Sequence, residues 1–344
     1  MPTTYDFIAQ NKRRTWLLVL LFPITFAALG YLFLFGYSHL AVHTADISTP
    51  ETYYETSGAS YMGEGTPLER ANHMAIVVLP ILWFVAVLWI VISYYCGDAW
   101  LLQGAGAVKI SRLTQPEIYL LVENLCLTAG LPTPRIYIIN DNSLNAFATG
   151  RDPKHASIAL TKGIVTRLER AELEGVIAHE LSHIQNRDIR LMLITVAGIS
   201  FFTFLAELCF RMALRRTTYS RRSKEEGGGR LLLLALGIVF ALYGYLIAPL
   251  IRLAVSRTRE YHADASAALL TRNPGALARA LEKITADPRV EVLDEHASMA
   301  AMCIANPLSS MGFFAALSGL FATHPPTEKR IAALRAMDAD VLRG

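Results

Sequence analysis

At 344 residues, with 53% hydrophobic and 18% charged residues and a mean hydropathy of +0.35, the chain is too apolar for an ordinary soluble enzyme. Its formal charge of +3 comes mostly from arginines beside apolar runs, and neither a basic-aromatic array nor a phosphate-cradling glycine loop points to nucleic acid or nucleotide. The four cysteines (Cys96, Cys126, Cys209 and Cys303) show no CxxC spacing and are expected as reduced structural thiols.

In chain order, the first apolar run is 16–37, after the basic triplet Lys12, Arg13 and Arg14. It is long enough to cross a bilayer and longer than a signal-peptide h-region, and no convincing cleavage site follows, so it reads as a retained anchor. Segment 40–73 carries Asp46, Glu51, Glu55, Glu64 and Glu69 against Arg70 alone and reads as an external loop. A second span, 74–95, brings the chain back. The positive charge before the first span places the N-terminus, and the chain after residue 95, in the cytoplasm. The expected division is a transmembrane hairpin over 1–96 and a catalytic domain over 97–344, interrupted by apolar helices at about 191–210 and 231–251.

Within that domain, Thr114-Gln115-Pro116-Glu117 has the spacing of a capping box, opening a helix that ends near Gly130. Segments 135–139 and 155–161 read as strands. Asn145, Ala146 and Phe147, with 154–161, are expected to border a cleft whose exposed strand edge binds substrate backbone; plain core strand is the competing reading.

The run His179-Glu180-Leu181-Ser182-His183 carries the chemistry. It sits on a helix expected to begin near Glu169, where Leu173, Val176, Ile177, Leu181 and Ile184 recur at helical spacing, and to run on towards the third apolar stretch. Histidines four apart share one face and reach one metal ion, and the glutamate beside the first is placed to take a proton from water there. A third ligand is available in Glu260. Asp264, one turn on, is placed to accept a hydrogen bond from a ligand imidazole. The alternative is a solvated acidic face among Arg257, Arg259 and Arg272. His262 lies on the opposite side of that helix from Glu260 and cannot share its ion.

The apolar stretches 191–210 and 231–251 pose a conflict. Between them Arg211, Arg215, Arg216, Arg221, Arg222, Lys224 and Arg230 favour a cytoplasmic loop, whereas two crossings place that loop outside. His183 and Glu260 have to share a compartment, so the crossings between them are even in number: two spans, the favoured reading, or a hairpin that does not cross. Glu207 inside the third stretch can pair with Arg211. The fourth stretch leads into the Glu260 segment, with Pro249 as the expected kink. A last apolar run, 299–322, is broken by Asn306-Pro307 and reads as a packed part of the domain.

The strings NAFATGRDPKHASIALTKGI, VIAHELSHIQNRD, SRTREYHADASAALLTRNP and FATHPPTEKRI, in this order, resemble the HtpX family of membrane-bound zinc metalloproteases, relatives of the CAAX prenyl proteases. The resemblance runs from about residue 15 to 333 and departs from the family pattern in the long segment between the first two apolar runs. It implies an α+β, zincin-like (gluzincin) cytoplasmic domain on helical membrane anchors. It also implies one Zn2+ per chain on His179, His183 and Glu260, with Glu180 as base and Asp264 behind a ligand histidine. His324 matches the family's HPP motif and either stabilises an oxyanion or fixes a turn. The reading is a plasma-membrane endopeptidase of the bacterial inner membrane, acting on misfolded membrane proteins in stress response and quality control. Its alternatives are a CAAX-type prenyl-protein protease, which expects more spans, and a catalytically silent membrane scaffold, against which the intact Glu180 speaks.

Overall fold

The computed structural model describes residues 4–48, 66–215, 231–244, 257–286 and 326–341. Outside them lie 49–65 of the acidic loop, most of the basic segment after Arg215, Pro249, Cys303, the run 299–322 and His324. The described chain is α+β, mostly helical with one small sheet. Among the described residues three helices are long and apolar enough to cross a membrane: α1 (Thr4–Ser48), α2 (Pro67–Gly104) and α6 (Asp188–Arg215). A shorter apolar helix, α7, covers Leu231–Gly244. Helix α1 begins a dozen residues before its apolar run because 4–15 contain no proline or glycine to stop it.

Two compact units form. The apolar unit takes 17–91 and 200–244 and packs aromatics against one another, with Phe26 5.0 Å from Phe201 and Phe202 4.4 Å from Tyr243 between ring centroids. It leaves large apolar side chains such as Ile76 and Leu20 more than half exposed, as lipid-facing positions are. Arg211 Nε lies 3.0 Å from Glu207 Oε1, the i,i+4 pairing that offsets a lone charge on an apolar helix.

The second unit holds the sheet, in order β1-β2-β4-β3, where β1 is Ala107–Lys109, β2 Arg135–Ile139, β3 Ala146–Gly150 and β4 Ala156–Thr161. β2 and β4 are parallel and the other pairs antiparallel, with Ile158 of β4 opposite both Ile136 and Ala148. β4 is therefore an inner strand, and among the described residues the edges are β1 and β3. Helix α3 (Pro116–Ala129) starts differently from the expectation. Its N-cap is Gln115, with no side-chain cap, while the Thr114 hydroxyl accepts from the Ser111 amide at 2.9 Å. Pro116 at the first helical position fixes that start. Its end is a left-handed Gly130.

After the short α4 (Lys162–Arg167), α5 (Arg170–Gln185) opens on N-cap Glu169, whose amide donates to Glu172 Oε2 at 2.9 Å. Its apolar residues bury against α8 (Arg257–Thr271), α9 (Pro274–Ala286) and β3. Gly175 permits the close approach to α9: a Cβ there would meet the Leu277 backbone at 3.2 Å. Glu172, fully buried, is held by Lys283 Nζ at 2.7 Å. α5 does not run on into α6, as the apolar pattern had implied. Asn186 caps it, Arg187 takes the left-handed φ of 58°, and a new helix begins at Asp188. The last helix, α10, is Thr327–Val341 and packs on α9 and α8.

Candidate metal centre

α5 presents His179 and His183 one turn apart, with Glu180 beside the first, on a face that α8 closes with Glu260. One ligand atom from each of His179, His183 and Glu260 lies within 4.8 Å of the others. The Nε2 atoms of the two histidines are 3.1 Å apart, and Glu260 carboxylate oxygens stand 3.8 Å from His179 Nε2 and 3.7 Å from His183 Nε2. Three donors bound tetrahedrally to one zinc would sit about 3.4 Å apart. The group therefore has the size of a single-ion site.

Both imidazoles are aimed from behind. His179 Nδ1 lies 2.9 Å from Asp264 Oδ1, and His183 Nδ1 lies 2.8 Å from Asp188 Oδ2. Each ring turns its outer nitrogen to a carboxylate, which directs its inner nitrogen towards the shared centre. Each carboxylate is in turn held by a buried arginine. Arg330 of α10 makes a two-pronged bond to Asp264, Nε to Oδ2 and Nη2 to Oδ1, both at 2.7 Å. Its Nη1 is 3.5 Å from Glu260 Oε2. Arg259 Nε is 3.0 Å from Asp188 Oδ1. Four carboxylates (Glu180, Asp188, Glu260 and Asp264) thus face two arginines in a site nearly closed to water. Counted with neutral imidazoles, the formal excess of two negative charges matches one divalent cation.

These fields move the ionisations. Burial opposes charge on Asp264, but Arg330 and then His179 outweigh it and hold the carboxyl down at about 2. Burial likewise opposes a proton on His183, but the Asp188 hydrogen bond and the fields of Glu260, Asp188 and Glu180 raise it to about 9. Arg330 is raised above its ordinary value by Asp264, Glu260 and Glu180 against its own burial.

Residues 112–338 match the model of peptidase family M48. The chain belongs to peptidase family M48. It is 40% identical over 327 residues to a Bacteroides fragilis protein described as "Protease HtpX homolog", covering 95% of this chain and 96% of that one. A protein of the same description from Thermoanaerobacter pseudethanolicus is 35% identical, with 97% and 98% covered. One from Tropheryma whipplei is 43% identical over 246 residues, with 72% and 81% covered. Among solved structures, S. mikatae Ste24p matches at a TM-score of 0.43 and 20% identity, over 76% of this chain and 58% of that one. As an M48 member the chain is a metalloprotease with polypeptide substrates and helices able to span a membrane.

The other residues singled out in the sequence fall as follows. Asp264 stands behind His179. Asn145 is buried just before β3, its Oδ1 accepting from the Ala146 amide at 2.9 Å; Ala146 and Phe147 are buried in β3, which packs against α5. His262 is outside the cluster, with Nδ1 3.4 Å from Ser266 Oγ, and His324 lies outside the described residues. Sequence reading missed Asp188, Arg259 as a buried partner, Arg330 and Asn11. Asp188 follows the second histidine by five residues, and Arg330 sits inside the EKRI string, but neither carries a local signal of what it touches.

Proposed function

We propose that this M48 protease is a zinc endopeptidase whose active site faces the cytoplasm and whose substrates are misfolded membrane proteins. His179, His183 and Glu260 hold the ion; a bound zinc supplies a Lewis acid and lowers the pKa of a coordinated water. Glu180 is the base: it takes a proton from the attacking water and passes it to the leaving amine. Asp264 and Asp188 fix the imidazoles that hold the ion. Asn145, Ala146 and Phe147 line the substrate side, where β3 supplies a strand edge for backbone pairing, and His324 assists at the oxyanion. Residues 1–96 form the membrane hairpin, and 97–344 the protease domain with its two apolar helices, in the bacterial inner membrane.

The observation that carries this reading is the donor set: two histidines and one glutamate within 4.8 Å, in a nearly closed site. A cation held there would offset the desolvation of the site's buried carboxylates. Charge bias of the N-terminal triplet supports the orientation.

The test separates holding from reacting. Purified full-length Glu180→Gln should keep about one zinc per chain and lose nearly all cleavage of an unfolded membrane protein, because the base is not a ligand. His179→Ala, His183→Ala and Glu260→Ala should lose both. Zinc loss in Glu180→Gln equal to that of the ligand variants would sink the assignment.

A further inference from the structure

Asn11 is 1% exposed, five residues before the apolar run that starts at Trp16. Every polar atom of its amide is used. Nδ2 donates to Asp188 Oδ1 at 2.5 Å and to the Asn186 carbonyl at 2.9 Å, and Oδ1 accepts from Arg259 Nη2 at 2.6 Å. A flipped amide would set its N–H groups against a guanidinium and its oxygen against two oxygens, so only this orientation is allowed.

The arrangement restrains a competition. A buried arginine beside a carboxylate gains most from a two-pronged bond, as Arg330 shows on Asp264. Arg259 does not take that form on Asp188. Nε lies 3.0 Å from Oδ1 as an ion pair, out of hydrogen-bond geometry, while Nη2 is engaged by Asn11. Asp188 Oδ2 is thereby left to His183 Nδ1. Remove the amide, and the fork is released to pull Asp188 round and draw Oδ2 off the imidazole.

We propose that Asn11 is a positioning residue of the metal centre: by engaging Arg259 and Asp188 together it reserves one Asp188 oxygen for His183, so that helix α1 completes the metal site. The inference rests on the reading of His183 as a ligand.

The test is a double-mutant cycle on the full chain, read by zinc affinity from competition with a chelator and by the visible spectrum of the cobalt-loaded protein. Asn11→Leu should weaken zinc by about 3- to 10-fold, below the roughly 10- to 100-fold of a residue that touches a ligand directly, and should shift the cobalt bands. In an Asp188→Asn background the same change should add nothing further, because its route is gone. Should Asn11→Leu not fold, Asn11→Asp, equal in size but without the amide donors, enters the same cycle. An unmoved affinity and spectrum, an equal loss in both backgrounds, or failure of both variants to fold would each overturn the role, the last because a residue serving only the metal site is dispensable to the metal-free fold. An unmutated chain that binds neither zinc nor cobalt would instead fail the metal reading itself.

Discussion

Replacing Arg330 by methionine removes the cation that α10 places among Asp264, Glu260 and Glu180 while keeping most of the side-chain volume. At an effective dielectric of about 20, opposite unit charges 2.7 Å apart attract by about 6 kcal/mol, and a pair at 3.5 Å by about 5. The guanidinium's own desolvation offsets part of this, so the expected net loss is about 3–5 kcal/mol, the range for stripping one partner from a buried pair. Part of it should reappear as weaker zinc binding, since Asp264 would no longer be held against His179. Arg330→Lys keeps the charge and loses the fork, a charge-assisted bond of about 1.5–3 kcal/mol. The assay is thermal unfolding of the metal-free and zinc-loaded full-length protein, with zinc affinity by chelator competition. The order unmutated, Lys, Met is expected in both measurements. A methionine variant that melts with the unmutated protein and binds zinc equally well would refute the view that the buried charge balance organises this site.

The two carboxylates behind the histidines should behave alike: Asp188→Asn and Asp264→Asn should each lower zinc affinity by about 10- to 100-fold, measured against a chelator, and a variant within twofold of the unmutated protein would remove that residue from the role. In the metal-free protein His183 keeps its proton up to about pH 9 instead of 6.5. That proton stabilises the metal-free fold fully below pH 6.5, and the benefit fades as pH rises through about 9. Zinc uptake has the opposite sign because the proton has to leave, so affinity should rise with pH, with one proton released per zinc near neutrality; calorimetry in buffers of different ionisation enthalpy counts it, and a count of zero contradicts the assignment. For topology, in a cysteine-free background, a cysteine at Leu113, which is 95% exposed, should resist an impermeant thiol reagent added outside intact cells. A cysteine at Ser223 should react, though the arginines around it oppose translocation. Labelling at Leu113 would put the site outside, whereas protection at both would leave only two crossings.

The helical frame was legible because its signals are local. Apolar runs over twenty residues long, the i,i+3,i+4 pattern around His179 and the one-turn spacing of Glu260 and Asp264 each lie inside a single helix. The strands were half legible: β2 and β4 carry branched residues, while Ala146–Gly150 is alanine and glycine around Phe147 and Thr149 and forms because it pairs with β4. The break after Gln185 was hidden, since the left-handed residue there is Arg187 and no glycine announces it. That break sets Asp188 at a helix start within reach of His183. Asn11, Arg259 and Arg330 were unreadable for a different reason: their meaning lies in partners tens to hundreds of residues away, and an arginine in a helix looks solvated until its carboxylate is found.

The centre draws on both ends of the chain, with Asn11 in α1 and Arg330 in α10, only fourteen residues from the last. A ribosome adding about 5–20 residues per second makes these two roughly 15–60 s apart. For the last part of it, about 3–14 s, Asp264 and Glu260 exist in the growing polypeptide without the guanidinium that balances them. Order of synthesis thus separates the carboxylates from their counter-charge, and the Arg330–Asp264 pair can close only after the α10 segment has been made.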